Sequence, residues 1–198
     1  MIQQVTLTPL NNIWCLFILD KSGSMYSHRE STIAAFNSIV DEQLKYNDMF
    51  VKLVLFDSVV QPISNITKLT EDFKLNEKKY RIDGMTALYK AIVDGIESVK
   101  KDLKTTTTEN YPKDVFVFIF SDGEENHSGR EYTLSKVREQ IEFTEKEYGW
   151  KYQFFGMDLG YKSGVDLVGV QNTVDTKSMQ DYSRGVSVTL AKSRKKDK

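Results

Sequence analysis

The stretch Leu19-Asp20-Lys21-Ser22-Gly23-Ser24-Met25 places one carboxylate and two hydroxyls at alternate positions around a glycine. All three are hard oxygen donors. Alternate spacing in a tight loop can aim them at one point, a chemistry suited to Mg²⁺, Mn²⁺ or Ca²⁺ rather than Zn²⁺. The same residues also suit an Asx-turn leaving a strand, with the serines capping the next helix. Thr86, after Gly84-Met85, offers another hydroxyl at a loop-to-helix junction, where it could equally be the N-cap of the helix that follows. Asp122, in Ser121-Asp122-Gly123, offers a second carboxylate. Two carboxylates sharing one crevice repel and are costly to desolvate unless a cation or a shared proton compensates.

Positioning these groups falls to two runs without polar alternation, Ile13 to Leu19 and Val115 to Phe120. Such runs read as strands covered on both faces, the pattern of a central parallel sheet. Each leads directly, or within one residue, into an aspartate, Asp20 or Asp122. If the two strands are neighbours at the topological switch point, both carboxylates meet beyond the sheet's carboxyl edge, where open α/β sheets bind ligands.

Between and after them, strands alternate with helices. A helix is expected from about Ser31 to Lys45, with Ile33, Phe36, Val40 and Leu44 on one face. Phe50 to Phe56 reads as a strand, and Val59 to Ile66 as a further one that Pro62 confines to an edge, antiparallel to its neighbour. Thr70 to Arg81 reads as a loop with a short helical turn. A helix from Leu88 to about Leu103 carries Leu88, Ile92, Ile96 and Val99 on its apolar face. Another, from about Thr133 to Tyr148, is stopped by Gly149. A strand at Lys151 to Met157, a short helix at Lys162 to Val168, a strand at Val170 to Val174 and a closing helix from Ser178 to about Ala191 complete the pattern. The expected architecture is a doubly wound α/β domain over 13–191, with a mostly parallel sheet flanked by helices and one antiparallel edge strand. An arm or edge strand (1–12, with Val5 and Leu7) precedes it, and a basic, solvated tail (192–198) follows.

Asp20-Lys21-Ser22-Gly23-Ser24, Gly84-Met85-Thr86 and Ser121-Asp122-Gly123 together resemble the three metal-site loops of von Willebrand factor A (vWA) domains, in that family's order and with similar spacing. The likeness runs from about Ile13 to Val174. Glu124-Glu125-Asn126 and the stretch Gly149 to Gly156 are similar to small stand-alone members encoded by bacteria and phages. The resemblance implies a Rossmann-like fold with a metal-ion-dependent adhesion site on its upper edge. It implies that Ser22 and Ser24 bind the ion directly, Thr86 directly or through water, and Asp20 and Asp122 mainly through water while hydrogen-bonding the serines. It further implies that the open coordination position accepts an Asp or Glu of a partner protein.

Other polar residues carry less. Lys21, Met25, Tyr26, His28 and Arg29 could form a rim that selects the partner. The spacing of His28 and His127 does not suggest a second metal site. Glu124, Glu125 and Asn126 either shape the rim or solvate a loop, and Asp57, Asp83 and Asp158 read as turn or cap residues.

Strand-end aspartates also serve Mg²⁺-dependent phosphohydrolases and phosphotransferases. Here Ser22 stands where haloacid-dehalogenase-type phosphatases place a second aspartate, and there is no G-x-x-x-x-G-K-S/T phosphate loop. No Ser/His/Asp constellation stands out either. The expected function is therefore non-enzymatic: metal-dependent binding of a protein partner in intracellular assembly or regulation. A structural subunit with a vestigial site is the further alternative. Composition agrees. Across 198 residues, 27 Lys+Arg against 28 Asp+Glu leave a net charge of −1, which calls for no nucleic-acid partner. The lone cysteine, Cys15, sits in an apolar strand and reads as core. No signal-peptide pattern and no membrane-length apolar run is present, so the expected compartment is the cytoplasm.

Overall fold

The computed structural model describes residues 11–122, 125–157, 168–170, 173–176 and 179–195. The expected arm (Val5, Leu7), Gly123, Glu124, Asp158, most of the expected 162–168 helix and residues 196–198 lie outside these. Among the described residues, six strands form one sheet: β1 (Ile13–Asp20), β2 (Met49–Phe56), β3 (Thr67–Lys68), β4 (Asp114–Ser121), β5 (Lys151–Met157) and β6 (Thr173–Thr176), in the order β3-β2-β1-β4-β5-β6. Every pairing is parallel except β2 with β3. The long helices are α1 (Arg29–Gln43), α2 (Leu88–Thr105), α3 (Leu134–Tyr148) and α4 (Met179–Lys195).

All eight residues of β1 are buried. Its alternate side chains enter different cores, which is why the sequence shows no alternation. Cys15, Phe17 and Leu19 join Phe36, Ile39 and Val40 of α1 and Tyr182, Val186 and Leu190 of α4. Trp14, Leu16 and Ile18 join Leu88, Ile92, Ile96 and Val99 of α2 and Val137 and Ile141 of α3. The apolar helical faces expected from the sequence thus cover the sheet, two helices to a side. Gly149 ends α3 in the left-handed conformation, with φ 66°.

The fold is the expected doubly wound, mostly parallel sheet with one antiparallel edge strand, but that strand sits later than Val59–Ile66. Pro62 lacks an N–H, and only Val60 bridges back to Phe56. The Ile66 N–H donates at 2.7 Å to the Asp102 carboxylate on α2 instead of to a strand. Pairing begins at Thr67 opposite Val51. At the other end of the domain, residues 192–195 of the expected tail continue α4. Arg194 makes a bidentate contact with Asp48 (2.7 and 2.8 Å), and Ser193 donates to Asp114. Gly185, a residue that weakens a helix, lets α4 meet the sheet: a Cβ at that position would lie 2.7 Å from the Phe155 ring.

The strand order reverses between β1 and β4, which pair in register from Ile13↔Asp114 to Leu19↔Phe120. The two aspartate-bearing strand ends are therefore neighbours at the switch point, as the two apolar runs require.

Candidate metal centre

Asp20 ends β1 fully buried, and Ser121 ends β4 beside it. The Ser22 N–H donates to Asp20 Oδ1 at 2.8 Å, and the Ser121 hydroxyl donates to Asp20 Oδ2 at 2.5 Å. The Ser24 hydroxyl donates to Asp122 Oδ1 at 2.8 Å and lies 3.2 Å from Ser22 Oγ. Asp20 and Asp122 are thus linked to the two serines, one through the Ser22 backbone and the other through the Ser24 side chain. Buried Met25 pins the 3₁₀ turn Gly23–His28 that carries Ser24 out of the strand.

The second loop enters through backbone contacts. The Gly23 N–H donates to Gly84 O at 3.0 Å, and the Asp83 N–H to Lys21 O at 3.0 Å. Gly84 has φ +72°, and a Cβ there would lie 2.5 Å from Ser58 Oγ, so this close approach needs glycine. Thr86 is 4% exposed, and its N–H donates to Asn126 Oδ1 at 2.8 Å. Its carbonyl accepts from the Asn126 and His127 N–H groups at 3.0 and 3.1 Å. Thr86 is not the N-cap of α2. That position is Ala87, which provides no side-chain cap. In the first turn of α2, the Tyr89 and Lys90 N–H groups donate to Glu125 Oε2 (2.8 Å) and Ser128 Oγ (2.9 Å) of the third loop.

Two expected rim residues are not on the rim. Lys21 is 5% exposed and forms an ion pair with Asp57, and Met25 is core. Asp57 also accepts the Val59 N–H at 2.8 Å and, through its carbonyl, the Ala87 N–H at 2.8 Å, so it ties the second loop to the end of β2. Tyr80, in the 70–81 loop, donates its hydroxyl to the Asp20 carbonyl. Glu125 and Asn126 brace the second loop rather than merely solvating the third. Apart from the family resemblance of Glu124-Glu125-Asn126, a run of polar residues after a buried strand is their mark in the sequence.

Burial raises the Asp20 carboxyl to about 6. Hydrogen bonds from Ser121 and Ser22 lower it and offset only part of that effect, while the Asp122 charge raises it further. Burial and the nearby carboxylate thus oppose ionisation, and the Lys21 ammonium is engaged by Asp57. A divalent cation is the natural counter-charge. Among the described residues there is no cluster of three or more His, Cys, Asp or Glu that could hold a metal ion, the two histidines included. The donors gathered here are hydroxyl and carboxylate oxygens, which suit hard cations. Adjacent oxygens around an octahedral Mg²⁺ are about 2.9 Å apart, from metal–oxygen bonds of about 2.0–2.1 Å. The Ser22–Ser24 hydroxyl separation of 3.2 Å is close to that edge length.

No protein-family model matches the sequence, and no curated protein matches it. Solved structures do match by fold. The vWF domain of the type V pili tip protein Mfa5 from Porphyromonas gingivalis aligns at TM-score 0.65 and 11% identity, over 91% of this chain and 96% of that one. A von Willebrand factor type A structure from Catenulispora acidiphila aligns at TM-score 0.65 and 11% identity, over 89% of this chain and 42% of that one. The PilB minor pilin from Streptococcus sanguinis aligns at TM-score 0.64 and 12% identity, over 91% of this chain and 61% of that one. The fold is that of vWA domains. This chain spans less than two thirds of the Catenulispora and pilin chains that it matches.

Proposed function

We propose that this protein is a metal-dependent protein-binding module that presents a divalent cation, Mg²⁺ or alternatively Mn²⁺ or Ca²⁺, to a carboxylate of a protein partner. The observation that carries this reading is the pair of hydroxyls Ser22 Oγ and Ser24 Oγ, 3.2 Å apart, with Ser24 hydrogen-bonded to Asp122 and buried Asp20 behind them. In this reading Ser22, Ser24 and Thr86 hold the ion. Asp20 and Asp122 orient the serines and balance its charge, mainly through water. With few carboxylates bound directly, the ion keeps enough positive charge to gain a strong bond from an incoming Asp or Glu. The pilus proteins of similar fold support a protein partner over a small-molecule substrate.

Metal-dependent melting tests the reading. Mg²⁺ or Mn²⁺ at about a hundredfold over Kd should stabilise the protein by about 2.7 kcal/mol, raising Tm by roughly 5–10 °C. Asp20→Ala should abolish the shift, and a partner captured with Mg²⁺ from the native host should be released by EDTA. Turnover of phosphate esters that Asp20→Ala eliminates would replace this reading with a phosphohydrolase. A metal that changes neither melting nor partner capture would leave a vestigial site.

A further inference from the structure

Next to the metal loops is an open groove of about 530 Å³, lined by Tyr26, Arg29, Glu77, Lys78, Arg81 and Ile82. One wall follows directly from Ser24 through the 3₁₀ turn into α1. The other wall, 77–82, runs into Asp83 and Gly84, which hydrogen-bond to Lys21 and Gly23, and Tyr80 within it holds the Asp20 carbonyl. Groove and metal loops are therefore built from the same two segments.

The lining is cationic, with Arg29, Lys78 and Arg81 against Glu77 alone. Glu77 offsets little of this, because its side chain is 76% exposed and lies 3.4 Å from Arg29. Arg29 opens α1, the end of a helix at which a cation is disfavoured. Among the described residues its buried Nε has no hydrogen-bond partner, although Nη2 donates to the Glu77 carbonyl at 3.1 Å. An arginine kept against the local preference, with its side chain 29% exposed, leaves part of its guanidinium for an outside acceptor. Tyr26, 77% exposed, adds an aromatic face at the groove mouth. The net charge of −1 provides no broad basic field for a long polyanion such as nucleic acid, so the positive charge is local.

We propose that this groove is a second anchor for an acidic segment of the partner protein: one carboxylate binds the metal, and a second, about three residues along the same extended strand, binds Arg29, Lys78 and Arg81. The metal half rests on the proposed function. The spacing follows from chain geometry. From Ser24 to Arg29 the chain advances about 10 Å at the 3₁₀ rise of about 2 Å per residue, a span that an extended peptide covers in about three residues.

The test uses fluorescein-labelled Gly/Ser peptides carrying a single Asp, or two Asp at successive spacings. Binding is read by anisotropy in excess Mg²⁺ and in EDTA. With Mg²⁺, the two-Asp peptide of about three-residue spacing should bind about tenfold tighter than the single-Asp peptide. The double substitution Lys78→Gln/Arg81→Gln should erase that gain and leave both single-Asp binding and the Mg²⁺ melting shift unchanged. Two-Asp peptides that bind no tighter at any spacing, or a gain that survives the double substitution, overturn the groove while leaving the metal reading in place. A spacing-dependent gain that persists in EDTA supports the groove and overturns the metal reading. No binding by any peptide up to millimolar concentration overturns both.

Discussion

Asp20 sits where its own charge is disfavoured. Burial raises its carboxyl to about 6 despite hydrogen bonds from Ser121 and Ser22. Because that value lies above the ordinary value near 4, the metal-free fold retains a proton that the unfolded chain gives up between about pH 4 and pH 6. The stability this protonated carboxyl contributes is complete below about pH 4 and lost as pH rises through 6, a deficit of about 3 kcal/mol at neutral pH. Asparagine fits the same place, since the Ser121 hydroxyl can turn from donor to acceptor. Asp20→Asn should therefore raise the metal-free Tm at pH 7, by about 1–3 kcal/mol of stability, leave it nearly unchanged at pH 4, and remove the response to Mg²⁺. Calorimetry at the two pH values in EDTA checks this, and a variant that melts below the parent at pH 7 refutes it. A bound cation would offset that cost in the empty fold.

At the scale of elements, the three loops are one bonded unit more than three neighbouring turns. α2 starts without a cap of its own, and the third loop supplies one from the end of β4. Glu125 Oε2 accepts the Tyr89 N–H, and Oε1 accepts the N–H groups of His127 (2.7 Å) and Ser128 (2.5 Å). Its negative charge at the start of α2 also complements the helix dipole. Glu125→Ala should cost about 1–2 kcal/mol of stability in urea denaturation and weaken the Mg²⁺ response by loosening the loop that holds Thr86. Glu125→Gln should cost less, because the amide oxygen can still accept. If Glu125→Ala proves as harmless as Glu139→Ala on exposed α3 surface, the cap is not what holds the loops together. The Lys21–Asp57 ion pair plays a similar part on the other side, tying the first loop to the end of β2.

Across the whole molecule, long-range polar ties close the domain opposite the metal edge. Asp114, at the start of β4, accepts from Lys151 at the start of β5 and from Ser193 on α4. Burial alone would raise its carboxyl, but these hydrogen bonds and the Lys151 and Lys113 charges hold it below the ordinary carboxylate value. The stability contributed by ionised Asp114 is therefore present above about pH 4 and lost as pH falls through its lowered value. Asp114→Asn should lower Tm at pH 7 and flatten the fall in Tm on acidification below about pH 4, as a pH series of melting curves would show. An acid limb as steep as the parent's would exclude Asp114 as a contributor. Lys52 makes another tie: although it lies in β2 it is fully buried, with its ammonium 2.8 Å from Asp102 on α2.

The sequence by itself determined what each segment's local chemistry decides. Apolar runs without alternation specified buried parallel strands, the helical spacing of Leu88, Ile92, Ile96 and Val99 specified a face, and Asp20, Ser22 and Ser24 specified a hard-oxygen loop at a strand end. Only the tertiary structure decided what depends on partners far along the chain. Pairing of β1 with β4, about a hundred residues along the chain, brings Ser24 to Asp122. The same packing withdraws Lys21 and Met25 from the rim, displaces the antiparallel strand to Thr67–Lys68 and turns Glu125 and Asn126 into braces. Side-chain period is a local property, legible in a few residues, whereas a hydrogen bond between loops exists only once the sheet has set their separation.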